Sequence, residues 1–247
     1  MKCDVLIIGA GVSGLVSSLI LQEKGYSVCL IENKDSISSY TKKYDITEGN
    51  RIEPLLNKIS ILPNKVLTVS EWISKNHSFV LESDIKDFYF KRGNDKDSLE
   101  RKLYEIINKT KNEIFFNCTI NQFKTQDDMI KEIKINSNQI EKRINPKYII
   151  VADGADSCTR DHLQIQKEIY ATFQGYGVIL KNENKLDHTK IFFNTKYAPN
   201  GYVYSGSLDN ESFHCVVVEG KNLKKEVLKN YLQLFLKDMI LYDYEII

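Results

Sequence analysis

The hydrophobic pattern of residues 5–32 changes twice, and this change constrains the fold more than any other feature of the sequence. Residues 5–8 are continuously apolar, as expected for a parallel strand whose sheet is covered by helices on both faces. From Val12 the apolar residues repeat at helical spacing, and Gly25 follows where such a helix would end. Residues 26–32 (YSVCLIE) then have the composition of a second buried strand. The chain is therefore predicted to open with a strand, a helix and a second strand.

The same apolar run could be taken for a signal peptide, but its composition argues against one. Asp4 precedes the run where a signal peptide has a basic flank, and glycines and serines interrupt it. The five cysteines are odd in number, scattered and without a C-x-x-C pair, so no disulfide framework or zinc ribbon is indicated. These features predict a protein of a reducing, cytoplasmic compartment.

The charge balance and the histidines exclude further classes of function. There are 34 lysines and arginines against 33 aspartates and glutamates, which gives a net charge of +1. Because nucleic-acid binders carry a marked excess of basic residues, no DNA or RNA partner is expected. The 4 histidines are too dispersed to form a local metal site, and none is predicted.

The turn between the first strand and the helix holds three glycines at the spacing G-x-G-x-x-G. Gly9 allows the tight turn, Gly11 lets the backbone approach a pyrophosphate, and Gly14 lets helix and strand pack closely. The helix N-terminus adds unpaired N–H groups and the positive end of its dipole. Glu32 ends the second strand about 20 residues further on, where it can accept hydrogen bonds from both hydroxyls of an adenosine ribose. The pattern predicts a site for FAD or NAD rather than NADP, because this carboxylate would repel a 2′-phosphate.

A second motif follows the apolar strand of residues 147–151, where residues 153–160 read DGADSCTR. This stretch resembles the D-G-x-x-S-x-x-R signature of the para-hydroxybenzoate hydroxylase-like flavoproteins, in which it follows the fourth strand of the FAD-binding domain. The resemblance implies that the dinucleotide is FAD. It also implies that Asp153 and Gly154 lie beside the pyrophosphate and riboflavin of FAD, and that Arg160 supports their loop.

A third segment, residues 197–204 (YAPNGYVY), is similar to the P-x-G-Y-x-W segment of the geranylgeranyl reductase family, flavoproteins that saturate isoprenoid double bonds. Tyr202 and Tyr204 are the candidate substrate contacts. Tyr204 stands where the family has tryptophan, and residues 36–50 lack the cysteine that many of these reductases carry after the second strand. These departures leave the substrate open.

Residues 88–103 (FYFKRGNDKDSLERKL) resemble the segment in which an arginine of this family precedes a helix of the FAD-binding domain. The resemblance makes Arg92 a candidate contact on the flavin side. Asp97 followed by Glu100 forms a capping box, which predicts that the helix begins after Asp97. Further along the chain, the resemblance places the backbone near Ile120 against the adenine.

Together these elements predict an α/β protein, in which a Rossmann-like FAD-binding domain carries an inserted antiparallel β-sheet domain for the substrate. The FAD-binding domain is expected in residues 1–64 and 91–165. The substrate or cap domain is expected in residues 65–90 and 166–220. Residues 221–247 are expected to contribute a C-terminal helix that returns to the FAD-binding domain.

The C-terminal helix is amphipathic, with lysines opposite its apolar residues. Packing of the apolar side on its own domain is the interpretation that the pattern favours. Contact with a membrane surface is the alternative, and it would suit a lipid-like substrate.

The resemblance implies an FAD-dependent oxidoreductase that transfers hydride between flavin and an unsaturated, isoprenoid-like small molecule, with NAD(P)H or another electron donor. The sequence singles out no side chain as acid or base, so no catalytic residue is assigned. One alternative is an aromatic-type flavin monooxygenase. The other is a truncated, non-catalytic nucleotide-binding remnant, which we consider because no G-D motif of the kind usual in this fold follows Asp153.

Overall fold

The structure is a computed structural model, and it describes residues 1–37, 44–93, 95–110, 113–127, 129–166, 168–181 and 186–239. The chain divides into two compact units. Unit 1 comprises Met1–Asp45 and Phe90–Lys167, and unit 2 comprises Ile46–Tyr89 and Glu168–Ile247. Residues 46–64, which were expected in the FAD-binding domain, therefore cluster with unit 2.

In chain order the elements are β1 (Lys2–Ile8), α1 (Val12–Glu23), β2 (Val28–Ile31), β3 (Tyr44–Glu48), α2 (Gly49–Lys58), β4 (Lys65–Ser74), β5 (Ser78–Lys91), α3 (Leu99–Asn108), β6 (Glu113–Phe115), β7 (Cys118–Gln126), β8 (Met129–Ser137), β9 (Ile140–Val151), α4 (Cys158–His162), β10 (Phe173–Lys181), β11 (Thr189–Phe193), β12 (Gly201–Leu208), β13 (Glu211–Glu219) and α5 (Lys225–Asp238). The predicted opening of strand, helix and strand corresponds to β1, α1 and β2.

The first sheet has six strands in the order β6-β2-β1-β9-β8-β7. Strands β6, β2, β1 and β9 are parallel to one another, whereas β8 is antiparallel to β9 and β7 is antiparallel to β8. Every residue from Val5 to Ile8 and from Val28 to Ile31 is buried, which explains the continuous apolar runs. On one face, Leu6, Ile8 and Ile31 pack with isoleucines of β8 and β9, and α1 contacts α3 elsewhere in unit 1.

The second sheet has seven strands in the order β10-β13-β12-β11-β4-β5-β3. Neighbours β10 and β13, β13 and β12, β12 and β11, and β4 and β5 are antiparallel, whereas β11 and β4 are parallel. One face of this sheet is buried by α5, whose Leu228, Leu232 and Phe235 pack against Val203 and Val216.

Helix α5 therefore belongs to unit 2, which differs from the expected return of residues 221–247 to the FAD-binding domain. The physical reason is that its apolar side meets the apolar face of β12 and β13. This packing also occupies the side that the membrane-surface alternative would use. Residues 240–247 lie outside the described part of the chain. No helix among the described residues combines the length and apolar character needed to cross a bilayer.

Candidate functional site

The three glycines of the first motif form the turn that joins β1 to α1. Gly9 has a left-handed backbone, with φ of +103°, and its N–H donates to the carbonyl of Ile31 at 2.8 Å. Gly11 is the N-cap of α1 in extended conformation. A Cβ at Gly14 would lie 1.9 Å from the Gly9 carbonyl oxygen, so the helix can begin this close to the turn only with glycine there. The turn thus has the geometry that the spacing predicted.

The N-terminus of α1 is open to an anion. Among the described residues no side chain caps the helix, and its first turn holds no acidic residue. The first N–H groups of a helix have no partner within the helix and carry a partial positive charge. This end of α1 can therefore receive a phosphate or pyrophosphate.

Glu32 lies directly beside the glycine turn, immediately after β2. Its side chain is buried, with Oε2 accepting a hydrogen bond from the Ala10 N–H at 2.7 Å and Oε1 accepting one from the Lys34 N–H at 3.0 Å. An ionised carboxylate has about four acceptor positions, so two remain for other donors. The predicted role of Glu32 at an adenosine ribose stays a prediction, and its position beside the turn is compatible with it.

The second motif meets the first through backbone contact. Strand β9 lies next to β1 with Ile8 opposite Val151, and the Ala152 N–H donates to the Ile8 carbonyl at 2.8 Å. A Cβ at Gly9 would lie 2.5 Å from the Ala152 oxygen and 2.8 Å from Asp153 Cα. Gly9 therefore permits the approach of the second motif as well as the turn of the first.

Asp153 is held by the short helix that follows it. Its Oδ2 accepts a hydrogen bond from the Thr159 N–H at 3.1 Å, whereas its Oδ1 is buried and has no partner among the described residues. Partial burial opposes ionisation, but hydrogen bonds from Ser157 and Thr159 outweigh it and hold the pKa of Asp153 below its usual value. The side chain is therefore a carboxylate, with one oxygen that lacks a donor.

Gly154 and Arg160 complete the second motif. Gly154 is exposed and has a φ of +94°, a backbone region that other residues rarely adopt. Arg160 donates from Nη1 to the Ala155 carbonyl at 3.3 Å and pairs with Asp161 at 3.0 Å. Arg160 therefore contacts the loop that carries Asp153 and Gly154, and the supporting role implied for it stays a prediction.

Arg92 follows β5 and is held by two carboxylates. Its Nε donates to Glu100 Oε1 at 2.6 Å, and its Nη1 donates to Asp45 Oδ2. The expected capping box is wrong, because the N-cap of α3 is Ser98, whose Oγ accepts from the Arg101 N–H at 3.4 Å. Glu100 contacts Arg92 instead of the helix end.

Ile120 lies in β7, opposite Ile135 of β8 and next to a β-bulge. It is half-buried and packs against the apolar cluster of the first sheet. Its expected contact with adenine stays a prediction.

Tyr202 and Tyr204 lie in β12, on the face of the second sheet opposite α5. Their ring centroids are 6.3 Å apart, and both residues are half-buried. The row of rings continues to Phe193 on one side, at 6.2 Å, and to Phe213 on the other, at 6.1 Å. Trp72 stacks on Phe193 at 5.5 Å.

The structure thus brings Gly9, Gly14, Glu32 and Asp153 to one end of the first sheet, while Tyr202 and Tyr204 belong to unit 2. Sequence reasoning missed Asp45 as a partner of Arg92 and gave Glu100 a different role. It also left out Trp72, for which the density of aromatic residues in neighbouring strands was the available signal.

Comparison with known sequences identifies a domain in the N-terminal part of the chain. Residues 2–61 match the family described as "FAD binding domain". The chain is also similar to the flavin-containing amine oxidase B of Rattus norvegicus, with 32% identity over 65 residues, which cover 24% of this chain and 12% of the amine oxidase.

Several solved structures share the fold of the whole chain. A geranylgeranyl bacteriochlorophyll reductase-like protein from Thermoplasma acidophilum matches with a TM-score of 0.82 and 16% identity, over 100% of this chain and 64% of its own. PqsL of P. aeruginosa, in complex with 2-aminobenzoylacetate, matches with a TM-score of 0.74 and 16% identity, over 100% and 73% of the two chains. The flavin-dependent brominase Bmp2 matches with a TM-score of 0.74 and 15% identity, over 100% and 65%.

These matches confirm the predicted fold class and the predicted cofactor. The chain spans 64% of the reductase-like structure and 12% of the amine oxidase, and at these identities the structural likeness extends to the fold. Residues 2–61 match an FAD-binding domain, and the fold is shared with the geranylgeranyl bacteriochlorophyll reductase-like protein, PqsL and Bmp2, so the chain is an FAD-binding protein of the FAD-dependent oxidoreductase fold.

Proposed function

We propose that this chain is an FAD-dependent oxidoreductase, in which unit 1 binds the cofactor and unit 2 presents an apolar surface to an unsaturated, isoprenoid-like small molecule. The observation that carries the proposal is the 2.7 Å hydrogen bond between the Ala10 N–H and Glu32 Oε2. It joins the glycine turn to the carboxylate at the end of β2. These are the two features that a dinucleotide site needs for its pyrophosphate and its adenosine ribose.

The residues present fit FAD at each point where they can be tested. Gly9 and Gly14 leave no space for a Cβ, and the uncapped start of α1 offers N–H groups to the pyrophosphate. Asp153 lies beside the glycine turn, with its Cα 2.8 Å from the position of a Cβ at Gly9, so the second motif reaches the same end of the sheet. Hydride transfer is the chemistry that bound FAD supplies, while the protein groups bind, orient and exclude water.

The aromatic row of unit 2 supports an apolar substrate. Tyr202, Tyr204, Phe193 and Trp72 are uncharged and lie on one face of the second sheet. Aromatic side chains contribute large apolar contact areas, and the two tyrosines add hydroxyl groups. An acidic aromatic substrate would need a cation, which these four side chains do not supply.

A flavin monooxygenase is the second candidate function. The observation in its favour is that p-nitrophenol 4-monooxygenase of Pseudomonas putida shares the fold of this chain, with a TM-score of 0.70. Both candidates use the same cofactor site, so they differ in the fate of the electrons.

The experiment that tests the proposal has two stages. In the first, binding of FAD to the purified chain is measured from the change in flavin fluorescence, with the Glu32→Gln variant beside the Glu23→Gln variant, whose substitution lies on an exposed position of α1. Binding by the unmodified chain and by the Glu23 variant, with weaker binding by the Glu32 variant, is the expected result. Equal binding by all three would remove the basis for the site.

In the second stage, flavin reduction by NAD(P)H or dithionite is followed by addition of polyprenyl or aromatic substrates. A reductase yields a product that gains two hydrogens under anaerobic conditions. A monooxygenase yields a product that gains one oxygen atom and consumes O2. A bound flavin that no donor reduces would contradict both candidates.

A further inference from the structure

The loop between β5 and α3 places one arginine between two carboxylates of unit 1. The Arg92 Nε donates to Glu100 Oε1 at 2.6 Å, and its Nη1 donates to Asp45 Oδ2. The exposed fractions of the side chains are 15% for Arg92, 32% for Asp45 and 0% for Glu100. Two of the three guanidinium nitrogens are therefore fixed, from two different elements of the fold.

The third nitrogen, Nη2, makes no hydrogen bond to a described residue, and it is not enclosed by protein. A guanidinium is planar and rigid, so fixing Nε and Nη1 also fixes the direction of the Nη2 donors. Arg92 thus presents an oriented cationic donor without a protein acceptor in the described structure. Such a donor suits a phosphate, carbonyl or anionic ring atom of a ligand.

Glu100 is more deeply buried than a role in capping the helix would require. Ser98 already caps α3, and Glu100 is completely buried, with Oε2 lacking a partner among the described residues. A buried carboxylate is unfavourable unless a cation pairs with it, and here the paired cation is Arg92. Its place in the first turn of α3 also lets the helix dipole stabilise the negative charge. The two groups therefore stabilise each other's buried charge.

We propose that Glu100, assisted by Asp45, is a positioning residue that holds the Arg92 guanidinium in the orientation that binds the flavin end of FAD. This inference rests on the proposed function, because it takes FAD as the ligand and takes from the family resemblance the flavin-side contact of Arg92. Glu100 itself makes no contact with FAD, since both of its carboxylate oxygens are enclosed by protein. Its effect reaches the cofactor only through Arg92.

The test compares the affinities of variants for FAD and for ADP, which lacks the flavin end. Glu100→Gln keeps the size of the side chain but removes its charge. We expect it to raise the Kd for FAD at least tenfold and to change the Kd for ADP by less than twofold. Glu105→Gln, at an exposed position of the same helix, is the matched control and should change neither value. An effect restricted to FAD distinguishes positioning of Arg92 from a general loss of structure.

A second variant, Asp45→Asn, keeps the inference testable where Glu100→Gln fails to fold. Asp45 is the more exposed anchor, and its loss releases Nη1 while leaving the buried pair intact. It should also raise the Kd for FAD selectively, by threefold or more. An equal loss of affinity for FAD and ADP in the variants that fold would mean that the role is structural, and it would overturn the inference. Unchanged affinity for both ligands would also overturn it. Failure of the unmodified chain to bind FAD would instead overturn the proposed function.

Discussion

Gly9 and Ala152 approach so closely that a Cβ at Gly9 would lie 2.5 Å from the Ala152 carbonyl oxygen. The two residues are far apart in sequence, with Gly9 in the first motif and Ala152 immediately before the second. They meet because β1 and β9 are parallel neighbours whose C-terminal ends lie at the same end of the sheet. The contact explains why glycine is needed at this point, since both the backbone conformation and the available space exclude a side chain.

Replacement of Gly9 by alanine should therefore destabilise unit 1 beyond the cost of backbone strain. A left-handed backbone costs alanine about 1 kcal/mol, and displacement of the Ala152 backbone adds about 2 kcal/mol or more. Chemical unfolding followed by circular dichroism measures the loss. Gly25→Ala is the matched control, because Gly25 has a φ of +84° and no atom within 4 Å of its Cβ position. Equal destabilisation by the two substitutions would show that the contact with Ala152 has no energetic weight.

Glu32 should determine the affinity for the adenosine part of the nucleotide. Hydrogen bonds to a charged group contribute about 1.5 to 3 kcal/mol each, so loss of one ribose contact corresponds to a decrease in affinity of about tenfold or more. Glu32→Ala should therefore weaken binding of both FAD and ADP-ribose at least tenfold in a titration. The variant also loses the acceptor for the Ala10 N–H, so circular dichroism must establish that the fold persists. Unaltered affinity in a folded variant would contradict the assignment.

The strand–helix–strand opening could be predicted because its signals are local. The apolar runs of β1 and β2 are each a few residues long, and the three glycines lie within six positions of one another. Glycine spacing determines a turn whose conformation depends little on the remainder of the chain. The contact of Gly9 with Ala152, by contrast, depends on β9 being the neighbour of β1, which no local pattern contains.

The environment of Arg92 could not be predicted for the same reason. Asp45 lies 47 positions before it, and their ion pair forms only once the chain on either side has folded. The N-cap of α3 was misplaced by one residue because Asp97 and Ser98 are both good capping residues. The pairing of Glu100 with Arg92 decides between them, since it draws Glu100 away from the helix end.

The sequence likewise could not predict which surface α5 packs against, because the pattern of the helix shows an apolar side but not what covers it. Phe235 is 1% exposed and meets Phe192 edge to face, with ring centroids 4.8 Å apart. Phe235→Ala should destabilise unit 2 by about 3 to 5 kcal/mol, because it leaves a large cavity. Asn230→Ala, at an exposed position of α5, serves as the control and should have little effect on urea unfolding. A loss no greater than that of the control would contradict the packing of α5 on the second sheet.

His214 should make the stability of unit 2 depend on pH. It is a buried residue of β13, whose Nδ1 lies 2.8 Å from Ser205 Oγ and whose Nε2 lies 3.2 Å from Ser212 Oγ, and its ring centroid is 6.2 Å from that of Phe235 in α5. Burial disfavours the imidazolium and lowers the pKa of His214 from 6.5 to about 4. Well above pH 6.5 the ring is neutral in both the folded and the unfolded chain, so it contributes no pH dependence there.

Between pH 6.5 and about pH 4 the unfolded chain binds a proton at His214 that the folded chain does not, so the free energy of unfolding falls as the pH falls. The difference in pKa corresponds to about 3 kcal/mol over this range, at about 1.4 kcal/mol per unit.

Urea unfolding across this range should show the loss of stability, and His214→Gln should reduce that loss because glutamine retains hydrogen-bonding groups but does not titrate. Carboxylates that titrate at the acidic end affect both proteins, so the difference between their slopes isolates His214. Identical slopes for the His214 variant and the unmodified chain would show that His214 binds a proton as readily in the folded chain as in the unfolded chain, in conflict with its enclosure by Ser205, Ser212 and Phe235.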